Sequence, residues 1–398
     1  MELFGLGVFF LVGSYLLFNV GYLLISAVAA HFGGKDDEPP TKQPRQVRKI
    51  AVLIPAYKED TVILDSVQAN LQQNYPTASY DLFVIADSFK PQTLERLAEL
   101  PIKVIVVSFE QSTVQKSITQ ALLQLPRNVY DIVLISDADN HMAPDYLQRI
   151  NLAFDSGWRA VQGHRVAKNT NTSVAVFDAM NEEVNNNLFR RGQRALGLSA
   201  SLIGSGMAFE PETMKRLMTQ IQSVGGYDKE LEMLLLGEGI RIAYLNDALI
   251  YDEKVQNLEV FERQRTRWIA AQVHFVKLYS GVGVRHLLRG NTHAFNAFLK
   301  SLLIPRVLFL ALLSFGFLVG LVVGYRPVWE FFGVLLGTLL FSLLISIPGY
   351  LWQKISMKDV LTFPLLVFRM IRSLLKIKAA GKKFLHTPHG ETTVAKEN

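Results

Sequence analysis

From Leu3 to Ala30 the chain carries no charged residue, and this run constrains the fold more than any other feature. A backbone in hydrocarbon must bond to itself, so an uncharged stretch longer than the roughly 20 residues that cross a bilayer predicts a transmembrane helix. Glu2 stands where a cleaved signal would carry positive charge, and the run exceeds a signal's apolar region, so an anchor is expected. Two later runs, Leu302 to Tyr325 and Val328 to Leu351, are separated only by Arg326-Pro327 and predict a transmembrane hairpin. The whole chain fits this reading: 398 residues, 49% of them apolar, with a mean hydropathy of +0.20.

Basic residues set the expected orientation. Lys35, Lys42, Arg45, Arg48 and Lys49 follow the first run, and Lys354, Lys358, Arg369, Arg372, Lys376, Lys378, Lys382 and Lys383 follow the third, whereas the hairpin turn offers Arg326 alone. The positive-inside rule then puts the N-terminus outside a plasma or inner membrane, with the central region and tail in the cytosol. A net charge of +6 clustered beside apolar runs suits anionic lipid headgroups, and no nucleic-acid signature accompanies it. Zero cysteines exclude disulfides, thiolate catalysis and Cys-ligated metal.

The expected organisation is a transmembrane helix over 1–32, a linker over 33–47, a cytosolic α/β domain over 48–268, interfacial amphipathic helices over 269–300, the hairpin over 301–352 and a basic tail over 353–398. Within the tail, Val360 to Ile377 is interrupted by Pro364, Arg369 and Arg372 and reads as interfacial; residues from Pro388 read as disordered. In the central domain, apolar β-rich runs alternate with helical patterns: Ile50 to Ile54 then Thr61 to Gln72, Leu82 to Ala86 then Pro91 to Leu100, Val104 to Ser108 then Ser112 to Leu125, Ile132 to Ser136 then Pro144 to Phe154. That alternation predicts a parallel sheet covered on both faces, with ligands at the carboxyl ends of its strands. Pro55 to Glu59, Asp87-Ser88 and Asp137-Ala138-Asp139 lie at those ends. Neither a dinucleotide-binding glycine fingerprint nor a P-loop is present.

Several residue sets suit phosphate and sugar chemistry. Asp137 and Asp139 share a face of an extended segment, where two carboxylates can approach one hard cation; a turn or cap role for Asp139 is the alternative. Asp87 can accept the imide N–H of a uracil or cap the next helix. Lys116 can reach phosphate or base, or be a solvated lysine. Gly204-Ser205-Gly206-Met207 permits close backbone approach to a ligand, or a tight turn. Asp228 opens a helix, where it can cap the backbone or take a proton from a hydroxyl. Gln264-Arg265-Thr266-Arg267-Trp268 offers guanidinium forks for a diphosphate and an indole for a sugar face, or a membrane-surface anchor.

Taken in order, Pro55-Ala56-Tyr57-Lys58-Glu59, Asp87, Lys116, Asp137/Asp139, Gly204 to Met207, Asp228 and the Gln-x-x-Arg-Trp element resemble the membrane-bound inverting family 2 glycosyltransferases, the group of cellulose, hyaluronan and poly-N-acetylglucosamine synthases. The resemblance implies a Rossmann-like GT-A nucleotide-sugar domain with a parallel-dominated mixed sheet, plus transmembrane and interfacial helices. It implies a UDP-sugar donor contacted by Pro55, Tyr57, Glu59, Asp87, Lys116 and Asp137, with Mg²⁺ or Mn²⁺ on Asp139. Asp228 would be the base, Arg265 and Arg267 would steady the departing UDP, and Gly204, Ser205, Gly206, Gln264 and Trp268 would meet the acceptor. Gly226 and Tyr227 depart from the family's usual Thr and Glu before the base. The implied acceptor is a growing polysaccharide, with an oligomer or export partner completing a channel. The alternatives are a single transfer to a membrane lipid or polyprenyl carrier, and a non-catalytic nucleotide- or partner-binding subunit.

Overall fold

The computed structural model describes residues 2–32, 44–223 and 225–375. Most of the linker and the tail beyond Leu375, including the segment expected to be disordered, lie outside the described residues. Eight strands form one sheet: β1 (Ile50–Tyr57), β2 (Tyr80–Asp87), β3 (Lys103–Val107), β4 (Ile132–Ile135), β5 (His141–Met142), β6 (Ala160–Ala167), β7 (Met207–Phe209) and β8 (Ala243–Asp252), in the order β3-β2-β1-β4-β7-β6-β8-β5. β1 to β4 are mutually parallel; β7 runs antiparallel to both β4 and β6, and β8 is parallel to β6. The mixed, parallel-dominated sheet is the one the resemblance implies.

Side chains alternate across a strand, so a doubly covered strand must be apolar at every position. Ile50, Val52 and Ile54 of β1 join Leu82, Val84 and Leu134 in a core closed by Ile63, Val67, Leu97 and Ile150. Ala51 and Leu53 join Phe83, Ile85 and Val133 on the other face, under Ile118, Leu122, Leu217, Leu231 and Leu235. β1 outruns its expected end by three residues and contains Pro55. It can do so because β4 pairs only with Ile50 to Leu53, so Pro55 lies where one edge of the strand is open.

Three described helices are long and apolar enough to cross a membrane: Phe10–Phe32, Arg306–Val323 and Arg326–Ile345. The last two form the expected hairpin, with its turn shifted. Gly324 ends the first helix with φ 68°, and Arg326-Pro327, expected as the turn, opens the second, where a proline needs no amide partner. Leu16, Leu23, Phe309, Leu313, Leu335 and Leu339 are buried among these helices.

Two expected boundaries need correction. The division after Trp268 falls inside one continuous helix, Leu258–Leu288, whose apolar residues Phe261, Ile269 and Phe275 stay buried through the supposed junction. The following stretch is completed by the short helix Thr292–Ser301. The interrupted run near the end forms a helix, Met357–Leu375, that carries Pro364 internally. Its Leu366 and Met370 pack with Phe261 and Ile269, while Leu361, Leu365, Phe368 and Ile371 are exposed.

Candidate active site

The carboxyl ends of β1, β2 and β4 open on one side of the sheet, and the polar residues following them define the site. Asp87 is the last residue of β2 and is buried; Ser88, with φ 61°, donates its hydroxyl to Asp87 Oδ1 at 2.9 Å. Oδ2 of the same carboxylate is buried with no hydrogen-bond partner among the described residues. A buried acceptor left open is costly unless a ligand donor meets it. This carboxylate lines a cleft of about 260 Å³ together with Pro55, Ala56, Tyr57, Ser112, Thr113, Val114 and Ser117. Asp87 does not cap the helix Pro91–Ala98, since Asp60 accepts the Lys90 N–H and the Thr93 hydroxyl there.

Lys116 is turned away from that cleft. Its ammonium donates to the Gln111 carbonyl at 2.7 Å and lies over the Phe109 ring, while its backbone N–H is taken by the Thr113 cap. Glu59 is buried beside the end of β1, where its carbonyl receives the Val62 and Ile63 amides.

The segment after β4 is held by polar side chains. The Asp137 N–H donates to Ser205 Oγ at 2.9 Å, and Ser205 donates to Asn140 Oδ1. Asn140 donates to Asp139 Oδ1 at 3.3 Å and to Asp252 Oδ1 at 3.0 Å, and the Glu253 N–H reaches Asp139 Oδ2 at 3.0 Å. Asp139 caps no helix; the next one starts at Tyr146. Among the described residues no three His, Cys, Asp or Glu side chains form a metal site by themselves. Both Asp139 oxygens already accept a hydrogen bond, and Asp137 and Asp139 are the acids of this segment that could take a hard cation of the kind held by one or two carboxylates and completed by substrate phosphates, as Mg²⁺ and Mn²⁺ are.

The glycine segment performs a different task from the one expected. Ser205 and Gly206 are buried; a Cβ on Gly206 would stand 2.8 Å from Ile250 Cγ2 and 3.0 Å from the Tyr146 hydroxyl, and its φ is 64°. The close approach is therefore to the protein's own core, and Ser205 is occupied with the Asp137 turn. Only the Gly204 carbonyl looks toward the site, accepting the Tyr227 hydroxyl at 2.7 Å.

Tyr227 opens the helix Tyr227–Gly237, after Gly226 with φ 75°; Asp228 lies one residue inside it and is not the cap. The other acids of that turn are committed elsewhere. Glu230 accepts the Ser223 N–H and the Tyr279 hydroxyl, and Glu232 pairs with Lys300 at 2.7 Å. Burial raises the Asp228 carboxyl above its ordinary value, with Lys229 opposing.

Arg265 and Arg267 stand two residues apart on a helix and so point to different faces. Arg265 is buried against Asp178 and lies between the Phe261 ring at 4.7 Å and the Trp268 ring at 4.1 Å. The expectation that it steadies a diphosphate is not met by this placement. Arg267 is half-buried; burial lowers its guanidinium and Asp137 opposes the shift. Trp268 is 36% exposed, and Gln264 Oε1 is buried without a partner.

Arg165, which no motif marks, joins the two halves of the site. Burial disfavours its charge, but Glu182, Asp252 and Asp137 outweigh this and hold the guanidinium well above its ordinary value. It donates to Glu182 at 2.8 Å. Burial, Asp137 and Asp228 raise Tyr227, and Arg165 opposes them. Asp137 thus acts by charge on Arg165, Tyr227 and Arg267, and Asp228 and Tyr227 both feel Arg165.

Residues 45–271, more than half of the chain, match the family model described as glycosyltransferase like family 2. The chain belongs to that family. This glycosyltransferase is 24% identical over 240 residues to the probable glycosyltransferase YdaM of Bacillus subtilis (strain 168), covering 58% of the chain and 57% of that relative. It is 22% identical over 240 residues to an N-acetylglucosaminyltransferase of Rhizobium leguminosarum bv. viciae, covering 56% and 55%. The matches thus span little more than half the length of these curated relatives. The solved mannosyltransferase PcManGT of Pyrobaculum calidifontis, described in complex with GDP-Man and Mn²⁺, shares the fold with a TM-score of 0.54 at 16% identity, over 92% of this chain and 97% of that one. The architecture is accordingly a Rossmann-like GT-A glycosyltransferase fold.

Proposed function

We propose that this glycosyltransferase is membrane-embedded, takes a sugar from a UDP-sugar and transfers it with inversion to a hydroxyl of a lipid-linked acceptor at the cytosolic membrane face. The observation that supports the reading is the set of charges that act on one another after the strand ends, Arg165 on Asp228 and Asp137 on Arg165 and Arg267. The unfilled Asp87 Oδ2 accepts the uracil imide N–H in the cleft beside Tyr57. Asp139, with Asp137, would hold Mg²⁺ or Mn²⁺, which when bound supplies positive charge to the leaving diphosphate. Mn²⁺ accompanies the nucleotide sugar in the mannosyltransferase of the same fold.

In a single displacement, Asp228 takes the proton of the attacking hydroxyl. Burial makes this carboxylate a stronger base than an exposed aspartate. Arg267 faces the charge that grows on the departing UDP. The apolar helices support a lipid acceptor, since buried side chains such as Phe309, Leu335 and Leu339 fill the space among them and a secreted polymer needs a lumen. Half-exposed Trp268 beside Arg267 favours the second reading, a polysaccharide acceptor, because an indole suits a sugar face. The test incubates the purified full chain with radiolabelled UDP-sugars and Mg²⁺ or Mn²⁺ in membrane extract. Metal-dependent UDP release with one organic-soluble product is expected; a ladder of products would replace the lipid acceptor with a polymer.

A further inference from the structure

Tyr227 makes a bond that the displacement itself does not use. Its side chain is buried in the core that holds Leu202, Leu231 and Leu235, and its hydroxyl donates to the Gly204 carbonyl at 2.7 Å. The accepting end of that bond is fixed. Gly204 has φ 87° and Gly206 φ 64°, so Ser205 sits between two left-handed residues in a turn that other side chains would strain. Buried Gln162 holds the turn from β6: Nε2 donates to the Ser205 and Gly206 carbonyls at 2.9 and 3.1 Å, and Oε1 accepts the Ile203 N–H at 3.1 Å. The Gly206 N–H donates to the Ile135 carbonyl of β4 at 2.8 Å, and Ser205 Oγ receives the Asp137 N–H at 2.9 Å. The Gly204 carbonyl therefore belongs to the same hydrogen-bonded piece as the acidic end of β4.

Asp228 needs such an anchor. The helix that carries it starts after Gly226, which has no side chain to cap the first amides and whose φ of 75° suits glycine alone among common residues. A Cβ on Gly226 would lie 3.2 Å from Ala271 Cβ, so the helix Leu258–Leu288 closes one side of this entry. The Tyr227 hydroxyl ties the other side to the glycine turn. Consecutive Cα atoms stand about 3.8 Å apart, so holding Tyr227 holds Asp228 with it. A general base works only within hydrogen-bond reach of its proton, and a misplacement of about 1 Å can cost on the order of 10² in rate.

We propose that Tyr227 is a positioning residue for the transfer: through the Gly204 carbonyl, its hydroxyl sets the place of Asp228 relative to the acidic end of β4. This rests on the reading of Asp228 as the base, and it adds the residue that keeps the base in register with the donor side of the site. Tyr227 touches no substrate in this role. Its loss is felt in turnover and not in UDP binding.

The test uses the full chain in nanodiscs as the parent, Tyr227→Phe, Gly204→Ala, Asp228→Asn and the double variant Tyr227→Phe with Asp228→Asn. Thermal melting, UDP affinity and UDP release from UDP-glucose or UDP-N-acetylglucosamine are measured with Mn²⁺ and membrane extract. Tyr227→Phe keeps the ring in the core and removes only the bond. Its melting should stay near the parent's, with kcat lower by about tenfold or more while KM for the UDP-sugar and affinity for UDP remain within about threefold. Gly204→Ala strains the accepting carbonyl and should lower kcat likewise. In the Asp228→Asn background, Tyr227→Phe should cost less than about twofold, since a residue that acts through the base then has nothing left to position. An unchanged kcat for Tyr227→Phe, or a tenfold loss that persists in the Asp228→Asn background, overturns the proposal. Loss of UDP affinity together with a large drop in melting makes Tyr227 a structural residue and overturns it as well. Near-parent turnover of Asp228→Asn is the distinct failure: it removes the base, and the proposal with it.

Discussion

Asp228 is the residue on which the proposed chemistry turns, and its surroundings give it a distinct signature. Asp228→Asn should keep UDP affinity within a few-fold while lowering turnover by roughly 10² or more, the share that general base catalysis alone supplies. Burial raises this carboxyl, so the acid limb of the turnover profile should lie above the ordinary aspartate range: activity is present above the raised value and falls as pH drops through it. A profile flat into the range of an exposed aspartate would assign the base elsewhere. In the proposed reaction metal dependence belongs to Asp139, and Asp139→Ala should abolish Mg²⁺- or Mn²⁺-dependent turnover while thermal melting shows a folded protein. Residue by residue, the sequence was most informative where a side chain follows a strand. Asp87, Asp137 and Asp139 are legible because a buried apolar run ends in acid. Arg165 and Tyr227 were not, since their roles depend on what β6 and the helix after Gly226 meet across the sheet. A closer look at the end of β8 would have exposed Asp252, which obeys the same strand-end rule.

The helix Leu258–Leu288 shows why a motif and an element must be read together. As a string, Gln-Arg-Thr-Arg-Trp offers two equivalent arginines; wound into a helix it sends Arg265 to Asp178 and Arg267 toward Asp137. The two should fail differently. Arg265→Ala leaves Asp178 buried without its partner and should cost roughly 3–5 kcal/mol of stability. Arg267→Ala should melt near the parent and lose turnover by about tenfold or more, measured as UDP release. Helix periodicity was available in the sequence, but the interruption of the apolar pattern after Trp268 concealed that the helix continues. A second ladder ties strand β6 to the helix Ser173–Asn186. His164 Nδ1 meets the Asn246 carbonyl at 2.7 Å and Nε2 meets Glu183 at 3.1 Å, so both ring nitrogens face acceptors, an arrangement that favours the doubly protonated ring. Burial opposes that charge and Glu183 outweighs it, raising the imidazole. The stability it contributes is full below the unfolded histidine range and is lost as pH rises through the raised native value. His164→Gln should therefore remove an alkaline decline in melting temperature that the parent shows.

At the scale of the whole molecule, the strands β1 to β4 and the apolar helices were legible because both rest on uninterrupted apolar patterns, whereas the order of the eight strands was not. The antiparallel insertion of β7 was not, because three residues, Met207 to Phe209, carry no periodicity of their own. The orientation expected from the lysines and arginines has a direct test: a reporter fused after Asn398 should be cytosolic, and a cysteine placed at Met1 should react with an impermeant reagent from outside. One further contact joins the apolar part to the catalytic part. Tyr350, beyond the second helix of the hairpin, donates its hydroxyl to Glu183 Oε1 at 2.9 Å, and the neighbouring Glu182 grips Arg165 in the cleft. The second hairpin helix has 20 residues, about 30 Å at 1.5 Å per residue, which matches an average hydrocarbon core. For a hairpin that crosses a bilayer, acyl chains much shorter or longer than this force it to tilt or shift. The Tyr350–Glu183 hydrogen bond is the contact through which such a shift would reach the catalytic domain, and Tyr350→Phe is expected to blunt any dependence of turnover on acyl-chain length in liposomes of graded thickness.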